Sequence, residues 1–342
     1  MTQHQMDVPS QEKLHQEAKL LREPIDEEVK KTLEGGKSDN DLDATFWSGI
    51  NATTRLAVGG HSSLAAQEFR LYDLWYVCIQ AAKTLHCASL KQDSIVRYIM
   101  SAKAMGPLRG VVPSVGDGSN TVQRGEIITF SDGRRFWSDL PLFGLDLEEE
   151  FTNRYYQSQH YEKDQRMNFA AFIGRLLSVG IYDGPAVCAL SLFRETLETH
   201  RPLVSSAKDR GAEEDEVLPV EDLLNALQQL LHHSEASIAI LSNIPGAAST
   251  TPNVGLPNFL KLASLGEQAR QAGIVDAPSG YSAERLRFWF QRLEELSQCD
   301  VKSIASDAET CLHTLITAQE SIGTYKADIG ENGEERHVVS YD

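Results

Sequence analysis

Residues 71–105 read LYDLWYVCIQAAKTLHCASLKQDSIVRYIMSAKAM, and they contain two apolar patterns with helical spacing on either side of a short break. Apolar residues that recur at steps of three and four lie on one face of a helix, and such a face has to be buried. The two patterns consist of Leu71, Leu74, Trp75, Cys78, Ile79, Ala82 and Leu85, and of Ile95, Tyr98, Ile99 and Ala102. Gly106 and Pro107 end the second pattern, because Gly lets the chain leave the helix and Pro cannot continue it. The stretch therefore predicts two antiparallel helices.

The same spacing recurs through the second half of the chain. The segments that carry it are 169–177, 187–197, 223–231, 259–272, 283–296 and 301–322. With the first half they amount to about ten helices, and they show none of the fixed periods that mark solenoid repeats. The sequence therefore predicts an all-α fold, an irregular globular array of about ten helices.

The β-like signal of the chain lies near residues 126–137. The runs EIITF and RRFW are both β-prone, and the sequence Ser-Asp-Gly between them favours a turn. We expect one small β-hairpin here. The preceding residues 106–125 are rich in Gly, Pro, Ser and Val, which predicts a surface loop.

Composition along the chain predicts three parts. Residues 1–40 are polar and form an N-terminal arm that is partly helical. Residues 41–325 form the all-helical globular domain, with two halves that meet near residues 106–140 as the alternative to a single body. Residues 326–342 are acidic and contain Gly, which predicts a disordered tail.

The net charge and the cysteines limit the classes of partner and compartment. The 49 acidic residues against 32 basic ones give a net charge of -17, which would repel nucleic acid and anionic membranes. No run approaches the roughly 20 apolar residues that span a bilayer, and the N-terminus lacks the apolar core of a signal peptide. The 5 cysteines form no CxxC pair, which indicates a reducing compartment. We expect an intracellular protein, in the cytoplasm rather than the nucleus.

The motifs of common helical and hydrolytic enzymes are absent from the sequence. It contains no HExxH, DDxxD, GxxxxGK[ST] or GxSxG, so no catalytic, cofactor-binding or metal-ligating residue is assigned. His232 and His233 are neighbours and should point in different directions on a helix, which disfavours a shared metal ion. The same argument disfavours a catalytic pair of Cys87 and His86. We therefore expect no cofactor.

Three aromatic residues are candidates for the lining of a pocket. Large aromatic side chains in a helical protein are most often core residues. Trp137 and Phe143, however, lie in an irregular segment around a Pro turn, and binding residues often lie in such segments. The alternative to core packing is a cleft lined by Trp75, Trp137 and Phe143.

Several short motifs resemble a fungal, all-helical domain family of unknown function over about residues 65–200. The motifs are Leu74-Trp75 with Ala81-Ala82, Gln92-Asp93, Trp137-Ser138-Asp139-Leu140-Pro141 and Asn168-Phe169-Ala170-Ala171-Phe172. The resemblance implies a helical fold and an intracellular fungal protein. It implies no reaction and no binding residue.

Two functional hypotheses follow from these observations. The first is a protein without catalytic activity that binds a protein partner or acts as an accessory scaffold, because many amphipathic helices occur without a recognisable catalytic set. The alternative is a helical enzyme or a carrier for a small hydrophobic metabolite, with its pocket near residues 126–143.

Overall fold

The computed structural model describes residues 39–59, 63–112, 122–130, 132–157, 160–181, 184–205, 217–244, 247, 262–274, 280–323, 325–329 and 335–339. Its helices are α1 (Asp39–Val58), α2 (Leu64–Thr84), α3 (Leu90–Ala104), α4 (Phe143–Asn153), α5 (Lys163–Ser178), α6 (Gly184–Phe193), α7 (Val220–Ser242), α8 (Glu267–Gln271), α9 (Ala283–Ser297) and α10 (Lys302–Ser321). A π-helical turn, Arg194–Glu198, follows α6 directly. The predicted all-α fold class is confirmed. None of the helices in these ranges is both long and apolar enough to cross a membrane.

In the described ranges, four short strands accompany the helices. Strands β1 (Arg109–Val112) and β2 (Val122–Ile127) pair antiparallel, as do β3 (Tyr325–Ile329) and β4 (Glu335–Val339). The hairpin expected near residues 126–137 is reduced to a single bridge between Thr129 and Arg135. The positive φ of Gly133 supports its turn, whereas the positive φ of Trp137 is incompatible with a continued strand.

Other parts of the predicted organisation lie partly outside the described residues. Residues 1–38 of the predicted N-terminal arm and residues 113–121 of the predicted loop lie outside the described residues. Strands β3 and β4 occupy part of the stretch for which the sequence predicts a disordered tail. The limits of the predicted domain and tail stay predictions.

The chain divides into two compact units. The described residues of the first unit run to Leu85 and continue over Leu90–Asp146, and those of the second are His86–Ser89 and all residues from Leu147 onward. The short segment His86–Ser89 thus belongs to the second unit although the flanking helices α2 and α3 belong to the first.

Helices α2 and α3 of the first unit form where the opening stretch predicts them. The Ser63 hydroxyl caps α2 by accepting the Ala66 N–H at 3.3 Å. The predicted apolar face of α2 is buried, with Leu74 as its half-buried member, and so are Ile95, Ile99 and Ala102 of α3. Gln92, a residue that apolar spacing does not predict, is also fully buried. Its amide joins the two helices by donating to the carbonyl oxygens of Ala82 and Leu85, at 3.1 and 2.9 Å.

Helix α7 lies between α5 and α10 in the second unit. The ammonium of Lys163 at the start of α5 lies 3.4 Å from Asp222 at the start of α7, so these two helices run in the same direction. Helix α10 runs parallel to α7 as well, because its early Ser303 binds Glu221 and its late Gln319 binds the Ala239 carbonyl oxygen. The predicted leucine face of α7 is buried in this packing; its members are Leu223, Leu224, Leu227, Leu230 and Leu231.

Candidate functional site

A cavity of about 630 Å³ lies in the second unit, between α7, α10 and the turn at residues 86–89. The residues that line it are Cys87, Ala88, Gln228, Gln229, His232, His233, Glu235, Ala236, Thr310, His313, Thr314, Thr317, Ala318 and Ser321. Pockets for small molecules typically enclose roughly 300–1,000 Å³. The cavity therefore has the volume of a small-molecule site, and we call it the α7–α10 cavity.

The α7 wall of the cavity is the polar side of an amphipathic helix. Gln228, His232 and Glu235 follow one another at steps of four and three, which places them on one face, away from the buried leucines. The imidazole rings of His232 and His233 lie 4.7 Å apart and nearly perpendicular. Both histidines line the cavity, although their adjacency in sequence predicts that they point in different directions.

The α10 wall presents hydroxyl oxygens. Thr310 donates its hydroxyl hydrogen to the Ser306 carbonyl oxygen at 2.9 Å, and Thr314 donates to the Thr310 carbonyl oxygen at 2.8 Å. Ser321 does the same to the carbonyl oxygen of Thr317 at 2.8 Å. Because these hydrogens are engaged within the helix, the three hydroxyl oxygens can offer lone pairs to the cavity. This wall therefore accepts hydrogen bonds.

The turn at residues 86–89 closes the third side. The Arg175 guanidinium on α5 donates to the Cys87 carbonyl oxygen at 2.9 Å. Within the turn, the Ala88 N–H donates to His86 Nδ1 at 3.1 Å, and the Ser89 N–H donates to the His86 carbonyl oxygen at 2.8 Å. The turn is thus held by internal bonds that engage two of its backbone donors.

The thiol nearest to the cavity belongs to Cys87. Its Sγ lies 3.8 Å from His86 Nδ1, so the structure brings together a pair that the sequence analysis expected to diverge. The lone pair of Nδ1 accepts the Ala88 N–H, and a general base needs that lone pair for the thiol proton. Burial raises the pKa of the thiols of Cys78, Cys188 and Cys311 well above the usual range, which keeps them protonated.

The charges at the cavity are few. Glu235 is its one carboxylate among the lining residues, and none of them is Lys or Arg. No group of three or more His, Cys, Asp or Glu residues in the described ranges is arranged to hold a metal ion. The cavity can therefore bind a ligand through hydrogen bonds, through one negatively charged carboxylate and through imidazole rings.

The three aromatic residues singled out from the sequence lie in the first unit. Trp75, Trp137 and Phe143 are all 0% exposed, and the Trp75 ring lies 6.0 Å from Trp137 and 4.9 Å from Phe143. The Trp75 indole N–H donates to the Pro141 carbonyl oxygen at 2.8 Å, and the Trp137 indole N–H donates to Thr54 Oγ1 at 2.9 Å. The three residues are thus brought together, and none of them lines the α7–α10 cavity. Their role as the lining of a pocket stays a prediction.

A second polar cluster of the second unit is closed to solvent. Glu198 in the π-helical turn and Arg285 on α9 are both 0% exposed, and their side chains form an ion pair at 2.5 Å. The Trp289 indole N–H and the Gly266 backbone N–H each donate to Glu198 at 2.7 Å. Arg285 also donates to the carbonyl oxygens of Ala263, Ser264 and Gly280, each at 2.9 Å. We call this arrangement the Glu198–Arg285 cluster.

The fold and the cavity define an all-helical protein with a ligand-sized cleft, most of whose lining residues have polar side chains. The chain belongs to the family described as "Protein of unknown function (DUF3632)", which matches residues 75–293. The predicted resemblance to such a family is thereby confirmed. Helix α10, which forms one wall of the cavity, follows the matched segment.

A curated fungal protein is similar to most of the chain. It is the "Oxopyrrolidines biosynthesis cluster protein G" of Penicillium oxalicum, with 26% identity over 236 residues, which cover 67% of this chain and 60% of that protein. The aligned part of this chain thus spans 60% of the length of the curated relative. No solved structure matches the chain.

Proposed function

We propose that this protein is an accessory protein without catalytic activity, which binds a small polar molecule in the α7–α10 cavity. The observation that carries the proposal is the cavity itself, with a volume of about 630 Å³ and walls of Gln, His, Thr and Ser side chains. Walls of this kind orient a ligand through hydrogen bonds.

The side chains around the cavity favour binding over chemistry. The only thiol in its wall faces an imidazole nitrogen that already accepts a backbone N–H, so the Cys87 and His86 pair lacks a free general base. The charged side chains of the Glu198–Arg285 cluster are fully buried, so a substrate has no access to them. These contacts support a role in holding a molecule rather than in transforming it.

The named relative supports a small molecule as the ligand. That protein is named for an oxopyrrolidine biosynthesis cluster, and the oxopyrrolidine ring is a small polar group. For this chain we take from the name only the size class of the ligand. No activity of that protein is assigned to this chain.

The other hypotheses from the sequence stay predictions. A protein partner, a role as a scaffold, and a hydrophobic ligand near residues 126–143 belong to this group. The intracellular location belongs to it as well. Of the two kinds of small ligand, we favour the polar one, because most residues that line the cavity have polar side chains.

A thermal-shift screen tests the proposal. A ligand that binds only the folded protein stabilises it by about 2.7 kcal/mol at a concentration of 100 times its Kd, which raises the Tm. We expect polar metabolites to raise the Tm of the full chain, and Thr314→Phe to abolish the effect, because the ring projects from the α10 wall into the space that a ligand would occupy. Ser306→Phe is the matched control, since this exposed hydroxyl position of α10 does not line the cavity. An unchanged response of Thr314→Phe, or no response of the unaltered chain to any compound, would contradict the proposal.

A further inference from the structure

We propose that the ligand of the α7–α10 cavity carries a primary ammonium group, held by Glu235 together with a hydroxyl oxygen of α10. The inference rests on the proposed function and narrows it to one class of ligand. It follows from a comparison of the hydrogen-bond acceptors and donors that the cavity walls leave available.

The acceptors come from α10 and from α7. The hydroxyl hydrogens of Thr310, Thr314 and Ser321 are donated to carbonyl oxygens one turn back in their own helix. Their oxygens can then only accept a bond from a ligand. On α7, the Glu235 carboxylate is an acceptor with full negative charge. An ammonium group has three donors and no acceptor. At 1.5 Å per residue, the three hydroxyls are spread over about 16 Å of α10, so one ammonium group can bind the Glu235 carboxylate and the hydroxyl oxygen at its level, but not all three hydroxyls.

Permanently charged donors for an anion are absent from the residues that line the cavity. The cavity wall contains no Lys or Arg. The backbone N–H groups of Ala88 and Ser89 would be the natural donors for a phosphate or a carboxylate, but both bind His86. The amides of Gln228 and Gln229 and the imidazoles remain, and these suit a neutral polar portion of the ligand better than an anionic one.

The backbone of α10 adds to the preference for a cation. Ala318 and Ser321 line the cavity and belong to the last turn of this helix, whose carbonyl groups form the negative end of the helix dipole. A positive charge is stabilised near that end, and a negative charge is destabilised. The net charge of -17 acts in the same direction over a longer range.

The test uses three compounds that share a four-carbon skeleton and differ in charge. Isothermal titration of the full chain with 1,4-diaminobutane, butane-1,4-diol and succinate measures which head group the cavity prefers. We expect 1,4-diaminobutane to bind most tightly and succinate not to bind. We expect Glu235→Gln to weaken the diamine by about tenfold, which is typical for loss of a partly buried charge-assisted hydrogen bond.

Glu309→Gln is the matched control, because this exposed residue of α10 lies outside the cavity wall and its replacement changes the net charge equally. We expect the Kd of this variant for 1,4-diaminobutane to stay within about twofold of the Kd of the unaltered chain. If both variants weaken binding of the diamine equally, the diamine is attracted by the overall negative charge of the protein surface and not by Glu235, which would overturn the inference. Binding of the diol or of succinate at least as tight as that of the diamine would also overturn it.

Failure of this inference can be told apart from failure of the proposed function. If the diol binds best and Thr314→Phe abolishes its binding, the cavity takes a small polar ligand, but not an ammonium. If Thr314→Phe binds all compounds as the unaltered chain does, the cavity is not the site, and both proposals fail.

Discussion

The second unit contains two polar regions that differ in how their polar groups are satisfied. In the Glu198–Arg285 cluster, both charged side chains are 0% exposed, and their binding atoms are engaged by protein groups. In the α7–α10 cavity, exposed side chains such as His232 and His313 face an open volume of about 630 Å³. Closed, satisfied polar groups stabilise a fold, whereas open groups on rigid helices are available for a ligand.

The difference has a counterpart in the local backbone. Glu198 lies in a π-helical turn, and it binds the segment around Gly266, where an added Cβ would lie 2.4 Å from the Glu198 side chain. The cluster therefore joins α6, α9 and the residues before α8 at close range. The cavity walls, in contrast, include regular stretches of α7 and α10. We infer that changes in the cluster affect stability and that changes in the cavity affect binding.

The largest effect is expected for Glu198→Ala. The substitution leaves the Arg285 guanidinium, the Trp289 indole N–H and the Gly266 N–H buried without their acceptor, which typically costs about 3–5 kcal/mol in the free energy of unfolding. Urea denaturation measures the loss. Glu309→Ala is the exposed control and should stay within about 0.5 kcal/mol of the unaltered chain. A loss below about 1 kcal/mol in Glu198→Ala would contradict the structural role of the cluster.

A smaller loss is expected for Gly174→Ala, which tests the contact that supports the α7 wall. An added Cβ would lie 2.5 Å from the Leu230 carbonyl oxygen, so α5 and α7 would have to move apart. Overpacking of this kind costs about 1–3 kcal/mol. Ser178→Ala at the exposed end of α5 serves as the comparison in the same denaturation experiment. Equal stability of the two variants would show that the helices are not in such close contact.

Trp75→Phe tests whether the aromatic residues of the first unit are core or pocket lining. The change removes the donor to the Pro141 carbonyl oxygen, and we expect a loss of about 1–2 kcal/mol in the free energy of unfolding. Binding of 1,4-diaminobutane, measured by titration, should not change, because Trp75 does not line the α7–α10 cavity. Weaker binding with unchanged stability would instead favour the pocket that the sequence analysis considered.

The smallest effect is a pH dependence that involves Glu195. Burial alone would raise its pKa, but the guanidinium groups of Arg194 and Arg201 outweigh burial and hold the pKa below the ordinary 4.5. A lowered pKa in the folded state stabilises the protein fully above the pKa of the unfolded state, and this contribution is lost as the pH falls through the folded value.

Glu195→Gln should therefore be less stable than the unaltered chain at pH 7, and the difference should shrink below about pH 4.5. Chemical denaturation at several pH values checks this. Asp139→Asn is the companion variant, because Arg135 likewise lowers the pKa of the half-buried Asp139 carboxyl, and the exposure of Arg135 lets solvent screen this pair and makes the effect small. A difference that grows as the pH falls would contradict the assignment.

The sequence predicts the helices well because their signal is local. Leu71 and Trp75 recur at helical spacing and are buried, and the same holds for Leu223 and Leu227 of α7. Gln92 escapes this reasoning, since a polar residue gives no apolar signal and its burial depends on two carbonyl groups of another helix. The sequence predicts a loop where strand β1 forms. The prediction misses this strand because its conformation depends on pairing with β2, which local β-propensity does not reveal.

The cavity could not be predicted, because its walls come from segments far apart in the sequence. The wall residues lie in segments 87–88, 228–236 and 310–321, which meet only through the parallel packing of α7 and α10 and the Arg175 bond to Cys87. His232 and His233 point about 100° apart on α7. A broad cleft can include both directions, whereas a single metal ion cannot easily do so. Helical spacing alone therefore does not show that two adjacent residues can line the same broad cleft.

The most direct test of the central claim compares the histidine and tryptophan side chains by NMR. Full-length protein with ¹⁵N-labelled His and Trp is titrated with 1,4-diaminobutane and, separately, with butane-1,4-diol. We predict that the ring signals of His232, His233 and His313 shift, whereas the indole signals of Trp75, Trp137 and Trp289 do not. Shifts of the indole signals without shifts of these three histidines would contradict a ligand site in the α7–α10 cavity.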